Sequence, residues 1–434
     1  MDQITIRGVR CFHEQQSIPL KPLTLLVGEN SSGKSTFLAI ARIVWDIMRL
    51  EFPTIMSVNF NEEPFRLGAY AQIASFRGGK AGRVKDFVIG CKSRLESKRI
   101  GKPPIREIAL NCRFIENDAQ PRLCELTLSA PPYELTFRIN IPGESLTVYL
   151  STPTGKYVID SDIPRPIRFL FRAMMDEWRP AENTKQARKN PTEEDLEIID
   201  QMAGAFVKKS KKPYAFAPIR TSPQRTYDPI TDTPHPEGSH VPIMLAKMMK
   251  TDPAGGKLIL DTLSRFGEES GLFKDVEVRR LGNKESDPFQ INVKISGPAF
   301  NLVDVGYGVS QILPVVFDSL RGPAGSAFLL QQPEVHLHPR AQAALGSFLA
   351  TLVSTQKKHF LIETHSDYIL DRIRIDVRDG KSIKAEDVLI LYFQRENGGV
   401  KIFSLELDKY GNILNAPDGY RKFFLDEEYH LLEG

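Results

Sequence analysis

Long apolar runs are missing from this chain. No stretch approaches the ~20 residues needed to span a bilayer, so no membrane-spanning segment is expected. The start, Met-Asp-Gln-Ile-Thr-Ile, lacks the charged-then-apolar pattern of a secretory signal. Cysteine is scarce. Cys11, Cys91, Cys112 and Cys124 lie far apart with no CxxC spacing, which suggests neither a zinc site nor a disulfide framework. A reduced, cytoplasmic protein is expected. An excess of one charge sign is also missing. Lys and Arg number 57 against 54 Asp and Glu, a net charge of +3, so charge alone announces no nucleic-acid partner. Repeats and low-complexity tails are absent. What is present is 434 residues, 41% of them hydrophobic, enough for one large core or two to three domains.

The pattern along the chain divides into three segments. In the first, 1–160, residues 2–9 read as a short strand. Leu23 to Val27 is apolar throughout, as a buried parallel strand should be. A Gly-rich loop follows at once, and a helical stripe of apolar residues then runs from Thr36 to Leu50. Short alternating runs between 75 and 160 predict an antiparallel β lobe, with a basic stretch at 92–102. The second segment, 161–271, is helical and then Pro-rich. Basic clusters stand at 185–189 and 208–212, and an extended loop is expected over 213–242. The third, 272–434, returns to strands at 276–281 and 289–295. It continues with a Gly-rich turn and helix at 304–320 and a strand at 326–330. A helix at 339–356, a strand at 359–363 and a hairpin over 387–405 complete it.

Four constellations carry chemistry. Gly28-Glu29-Asn30-Ser31-Ser32-Gly33-Lys34-Ser35 fits G-x-x-x-x-G-K-[ST] at every fixed position, with a strand before it and a helix from Thr36 after it. Backbone N–H groups of such a loop form an anion nest with the helix N-terminus. Lys34 supplies a point charge to the β- and γ-phosphates of a nucleoside triphosphate, ATP foremost, and the Ser35 hydroxyl is placed to ligate Mg²⁺. The second constellation is Asp304-Val305-Gly306-Tyr307-Gly308-Val309-Ser310-Gln311, small residues opening a helix, with Ser310 a second phosphate-reading group. The third is the strand Phe328 to Leu330 running into Gln331-Gln332-Pro333-Glu334-Val335-His336-Leu337-His338-Pro339. A P-loop enzyme keeps acids for Mg²⁺ and water at such a strand end. The fourth is Glu363-Thr364-His365-Ser366, where period-two geometry puts Glu363 and His365 on one side of a strand end. His336 and His338 lie two apart in a turn with no third ligand nearby, and are read as structural rather than metal-binding.

In this order the motifs resemble the ABC-type ATPase superfamily, in particular the RecF/SMC/OLD-like branch of stand-alone AAA-labelled ATPases. The resemblance covers nearly the whole chain. It also takes in Pro218-Ile219-Arg220 and the stretch Pro417-Asp418-Gly419-Tyr420 to Phe423-Phe424. It implies an α/β fold, an ABC-type P-loop NTPase head with a mixed sheet, an antiparallel β lobe and a helical insertion. It implies a head-to-tail dimer, a higher oligomer being left open, with ATP between the phosphate loop of one subunit and the signature of the other. Gly28, Asn30, Ser31, Gly33, Lys34, Ser35 and Thr36 would bind ATP in one subunit. Gly308, Ser310 and Gln311 would do so from its neighbour. His365 would be the switch histidine, and 334–338 the loop at the dimer seam. Ser35, Gln72 (as the Q-loop glutamine) and Gln331 would stand nearest the metal.

The chain departs from the family at the strand-end acids. Family members keep an acid-acid or acid-Gln pair before Pro-Glu, and this chain has Gln331-Gln332. An amide holds Mg²⁺ poorly and has no basicity toward water, so losing the base should slow hydrolysis by ~10²–10⁴. Gln332, Glu363 and His365 are the residues nearest the chemistry, with Glu363 or Glu334 able to stand in as base. The resemblance therefore implies an ATP-binding, slowly hydrolysing ATPase that controls a separate effector such as a nuclease, in the manner of antiphage-defence ATPases. A nucleotide-locked scaffold and a DNA-binding repair ATPase are the alternatives. A transporter subunit fits poorly, since 75–212 exceeds what a transporter ATPase needs.

Overall fold

The computed structural model describes residues 1–49, 58–78, 82–94, 107–140, 145–161, 179–180, 191–207, 212–228, 233–284, 286–396, 398–420 and 429–430. The basic stretches at 95–102, 185–189 and 208–211, and Phe423 with Phe424, lie outside them. The chain forms two compact units. One comprises Met1–Leu20, Asn30–Lys212 and Phe393–Ile402; the other comprises Lys21–Glu29, Pro213–Tyr392 and Phe403–Gly434.

The first unit holds a nine-stranded antiparallel sheet. Its strands are β1 (Gln3–Arg7), β2 (Gln16–Pro19), β4 (Asp86–Arg94), β5 (Glu107–Asn117), β6 (Gln120–Ala130), β7 (Tyr133–Asn140), β8 (Ser145–Thr152), β9 (Gly155–Ser161) and β10 (Arg179–Pro180). Their spatial order is β10-β9-β8-β7-β6-β5-β4-β1-β2. In β5 the residues Ile108, Leu110, Cys112 and Phe114 are buried while their neighbours are not, so the alternation in the sequence marks one covered face. Helices α1 (Lys34–Arg49) and α3 (Glu193–Val207) pack against this sheet, and a single turn, α2 (Tyr70–Ile73), sits before it. Phe60 packs edge-on against Phe87 and Phe114, at 5.8 and 5.1 Å between ring centroids.

The second unit is built on parallel strands. β3 (Leu23–Gly28), β11 (Tyr214–Phe216), β15 (Ala327–Gln331) and β16 (His359–Glu363) pair in the order β11-β15-β16-β3. β17 (Val388–Glu396), β18 (Gly399–Leu407) and β19 (Ile413–Leu414) extend that sheet to seven strands. A three-stranded sheet of β12 (Asp275–Arg280), β13 (Phe289–Lys294) and β14 (Ala299–Asn301) lies apart from it. The helices are α4 (Val241–Thr251), α5 (Pro253–Ser270), α6 (Tyr307–Arg321), α7 (Pro339–Gln356) and α8 (Asp367–Arg378). The core joins Leu23 and Leu25 of β3 with Phe328 and Leu330 of β15, Phe360 and Ile362 of β16, and the buried faces of α6 and α7. Continuous apolar strands are what a parallel sheet covered on both faces requires.

Two elements depart from the sequence reading. The extended loop expected over 213–242 contains β11 and the start of α4. Three residues are too few to show a period. Tyr214 is recognisable only through its partner, since it pairs with Phe328 and stacks on that ring at 4.9 Å. β14 escaped for the same reason. Gly398-Gly399 does stand at the turn between β17 and β18, as the sequence indicated. All four cysteines are free, and burial pushes the Cys91 thiol up to about 12. No described helix is long and apolar enough to cross a membrane.

Lys358 is fully buried, and its Nζ donates to the carbonyls of Ser319 and, at 3.3 Å, Leu320 at the end of α6. It thereby satisfies carbonyls that a helix end leaves open. Burial lowers its pKa to about 8. The unfolded chain then binds the proton more tightly. The cost of burying the charge is constant below pH 8 and is relieved as pH rises toward the unfolded value of about 10.5. Between pH 8 and pH 10 the Tm of the wild type should therefore gain on that of Lys358→Met. Thermal melts of both proteins across that range check this, and parallel curves would contradict it.

Candidate functional site

The phosphate loop leaves the carboxyl end of β3 at Gly28 and enters α1 at Lys34. Its backbone takes the turns that this sequence allows. Gly28 has φ 137° and Gly33 φ 92°, while Ser31 sits in the left-handed region at 58°. Gly33 is also sterically fixed. A Cβ there would lie 2.6 Å from Cys11 Sγ and 3.0 Å from Phe12 Cζ. Lys34 is buried, Ser31 and Ser35 are exposed, and Thr36 is buried at the first turn of α1. The Ser32 side chain is fully buried, and its Oγ has no hydrogen-bond partner among the described residues. A buried hydroxyl left unpaired is costly unless a ligand completes it.

Two arginines that no motif announced stand at this loop. Arg395, near the end of β17, donates from Nη2 to the Asn30 carbonyl at 2.8 Å. Arg10 has φ 45° and donates from Nη1 to Thr36 Oγ1 at 3.2 Å. It also reaches the Leu67 carbonyl at 2.9 Å and the Gln72 carbonyl at 3.2 Å. Gln72 itself turns back on α2, where its Oε1 accepts from the Ala69 N–H at 2.9 Å. It is thus tied to the loop by its backbone, through Arg10.

In the second unit the parallel strands end side by side, at the edge where open α/β sheets bind ligands. Gln331 of β15 stands in register with Glu363 of β16, and Glu363 in register with Leu26 of β3. Gln332 has φ 41° and donates its N–H to the Glu363 carbonyl at 2.8 Å. Glu363 is buried, and His365 two residues on is exposed. Glu334 is turned inward. Its Oε1 accepts the His365 N–H at 2.7 Å, while Oε2 has no partner among the described residues. Burial pushes the Glu334 carboxyl up, against hydrogen bonds from the His365 and Glu334 backbone and the Thr364 side chain and, least of these, the charge of Arg220. Burial likewise lowers Arg220 to about 10, with Glu334 opposing the shift. Ser366 caps α8, accepting from the Ile369 N–H at 3.1 Å and donating to Gln342 Oε1 at 2.5 Å. His338 caps α7, and the His336 ring meets Tyr307 edge-on at 4.9 Å. Among the described residues no group of three or more His, Cys, Asp or Glu is placed to hold a metal ion.

The Gly-rich turn at 304–311 opens α6. Gly306 is exposed, with no atom within 4 Å of where a Cβ would lie. Gly308 is the close-packed one, since a Cβ there would stand 2.8 Å from the His336 carbonyl oxygen. Phe300, Val303 and Tyr307 around the turn are exposed by 45%, 38% and 41%, high for large apolar residues. Ser310 is buried and donates from Oγ to the Tyr307 carbonyl at 2.8 Å. Gln311 is fully buried. Its amide oxygen accepts the Arg220 N–H at 3.0 Å and its Nε2 donates to the Arg220 carbonyl at 3.4 Å. The structure thus brings Gln331, Glu363 and Glu334 together, and binds Gln311 to the Pro218-Ile219-Arg220 segment.

Residues 175–370 match a family model described as an AAA ATPase domain, and residues 3–42 match a second described as an AAA domain. The shorter holds the phosphate loop, and the longer holds the Gly-rich turn and both strand ends. Comparison with curated proteins gives no match. Among solved structures the chain is similar to an SMC head bound to the C-terminal winged-helix domain of ScpA. The identity is 13%, the TM-score 0.49, and the match covers 94% of this chain and 98% of that one. It is similar also to an Smc head with an extended coiled coil, bound to the C-terminal domain of ScpA, from Pyrococcus furiosus. There the values are 12%, 0.46, 100% and 98%. For the SMC head domain of Thermotoga maritima they are 12%, 0.38, 94% and 99%.

Proposed function

We propose that the protein binds ATP with Mg²⁺ at 28–36, hydrolyses it slowly, and uses the bound state to pair two copies head to tail and control a separate effector. The observation that carries the reading is the phosphate loop between a buried parallel strand and a helix, with the Ser32 hydroxyl buried and without a partner among the described residues. Gly28, Asn30, Ser31, Gly33, Lys34, Ser35 and Thr36 would receive the phosphates. Mg²⁺ would take most of its oxygens from the nucleotide and water, with Ser35 from the protein, and would neutralise phosphate charge. Its donor set on the protein side is neutral, which suits a cation brought in by the nucleotide. Gln72 remains near the loop through the Arg10 contact, with its own amide turned to α2.

Slow turnover follows from Gln331 and Gln332, which lack the charge and basicity of the usual acids. Glu363 is the carboxylate in register beside them, and His365 is the exposed group at the same edge. The dimer reading is supported by the open Gly306 and its apolar surround, from which Gly308 and Ser310 would complete a partner's site; Gln311, expected beside them, is fully buried with its amide held by the Arg220 backbone and would act only by shaping the turn. An effector of nuclease or toxin type and a cytoplasmic, antiphage role complete the proposal, on the family resemblance alone. No described feature favours DNA as the ligand. ATP binding by the wild type and Lys34→Ala tests the core of the reading. Lys34→Ala should weaken ATP binding about tenfold or more, the loss of a charge-assisted contact. Equal affinity in an equilibrium titration would remove ATP from this loop.

A further inference from the structure

Arg225 stands on the loop between β11 and α4 and reaches the Gly-rich turn. Its Nη1 donates to Asp304 Oδ2 at 2.9 Å and its Nη2 to Asp304 Oδ1 at 2.6 Å, a bidentate ion pair. Such a planar fork fixes direction as well as distance. The loop is itself pinned on both sides of the guanidinium. Asn301, at the end of β14, donates from Nδ2 to the Arg225 carbonyl at 2.9 Å. Tyr227 exchanges both backbone hydrogen bonds with Phe289 of β13, at 2.9 and 3.0 Å, and stacks on that ring at 5.6 Å between centroids. Its hydroxyl oxygen accepts the Gln224 N–H at 3.0 Å. Asp304 closes a short 3₁₀ turn, Leu302–Asp304, and α6 begins at Tyr307. Val303, Asp304, Gly306 and Tyr307 in this stretch are exposed, so packing alone does not fix it, and a glycine adds backbone freedom.

We propose that Arg225 is a positioning residue whose fork on Asp304 tethers the entry of the Gly-rich turn in the form that a second copy meets. The two side chains are 60% and 43% exposed, so the pair adds little to the stability of the whole fold. Its effect is local. It ties the exposed segment before α6 to a loop that β13 and β14 already hold. The proposal rests on the head-to-tail reading for what the turn meets, while the tether itself stands apart from that reading.

The test is a charge-swap cycle on the full chain with Arg225→Asp, Asp304→Arg, the swapped pair Arg225→Asp/Asp304→Arg, and Arg225→Lys. Two amides report opening of the turn, the Val303 N–H on Asn301 Oδ1 and the Val309 N–H on the Gly306 carbonyl, each at 3.1 Å. Without nucleotide, each single reversal should speed hydrogen exchange over 301–309 about fivefold or more. The swapped pair should return exchange close to the wild type. Tm should stay within about 3 °C of wild type throughout, since the pair is exposed. With ATP and Mg²⁺, each single reversal should weaken pairing about tenfold or more and lower kcat with it. ATP affinity of the unpaired chain should stay within about twofold of wild type, and the swap should restore pairing. Arg225→Lys keeps the charge and loses the fork, and should fall between. Unchanged exchange in the single variants would overturn the proposal, as would additive losses in the swapped pair. So would normal pairing in a variant whose exchange has risen. If the wild type does not pair with ATP, the head-to-tail reading fails, while the exchange arm still decides the tether.

Discussion

Replacing Gln331 with Asp and Gln332 with Glu in one protein should raise ATP turnover by ~10²–10⁴. The strand end is built to accept the change. Gln332→Glu is isosteric and keeps the backbone, including the bond from the Gln332 N–H to the Glu363 carbonyl. Gln331 stands in register with Glu363, so Gln331→Asp would set two carboxylates side by side. Like charges at that distance hold one of them protonated unless a cation sits between them. The gain should therefore need Mg²⁺ and grow with pH. Steady-state turnover of the single and double variants reads this directly. Two outcomes carry different meanings. Unchanged turnover would place the rate limit outside the strand-end acids. Residual wild-type turnover that vanishes in Glu363→Gln would identify Glu363 as the working base.

Gly306→Arg should abolish ATP-dependent pairing, weakening it about 100-fold or more, while leaving the isolated chain as stable as wild type. Gly306 has φ −56° and ψ 141°, a conformation open to any residue. Nothing lies within 4 Å of the position its Cβ would take. An arginine there would project from the surface that includes Phe300, Val303 and Tyr307, and would separate a second copy from it. Gly308 could not serve as the test, because a side chain there would strike the His336 carbonyl within the same chain. Sedimentation with ATP and Mg²⁺ gives the pairing, and a thermal melt gives the control. A dimer that survives Gly306→Arg would mean that pairing does not use the Gly-rich turn.

How far the sequence could be read depended on how far apart the cooperating residues lie. β3, the phosphate loop and α1 are contiguous, and their apolar run, glycines and helical stripe are all visible in one window. The antiparallel lobe was equally legible, because β5 to β9 alternate cleanly and one face is covered. Arg395 was not, since its hydrogen bond to Asn30 spans 365 residues and an arginine near the end of a strand has no pattern of its own. Arg10 was hidden for a similar reason, its role set by a backbone turn with φ 45°. The Gly-rich turn and the helix after it were legible, but the hydrogen bonds of their side chains were not. The Gln311 amide is committed to the Arg220 backbone, and the Ser310 hydroxyl to Tyr307. Glu334 was read as part of a loop at a dimer seam. Its burial and its bond to His365 depend on three segments meeting, which no local spacing encodes.

The most direct test of the central claim is the chemical state of ATP carried by the wild-type protein. Protein mixed with a slight excess of radiolabelled ATP and Mg²⁺ would be quenched in acid at intervals from seconds to an hour, and ATP and ADP separated. The account predicts that ATP is bound, that binding is lost in Lys34→Ala, and that the bound nucleotide stays ATP for minutes. Conversion to ADP at ~10 s⁻¹, an ordinary enzymatic rate, would contradict it, as would failure of the wild type to retain ATP at all.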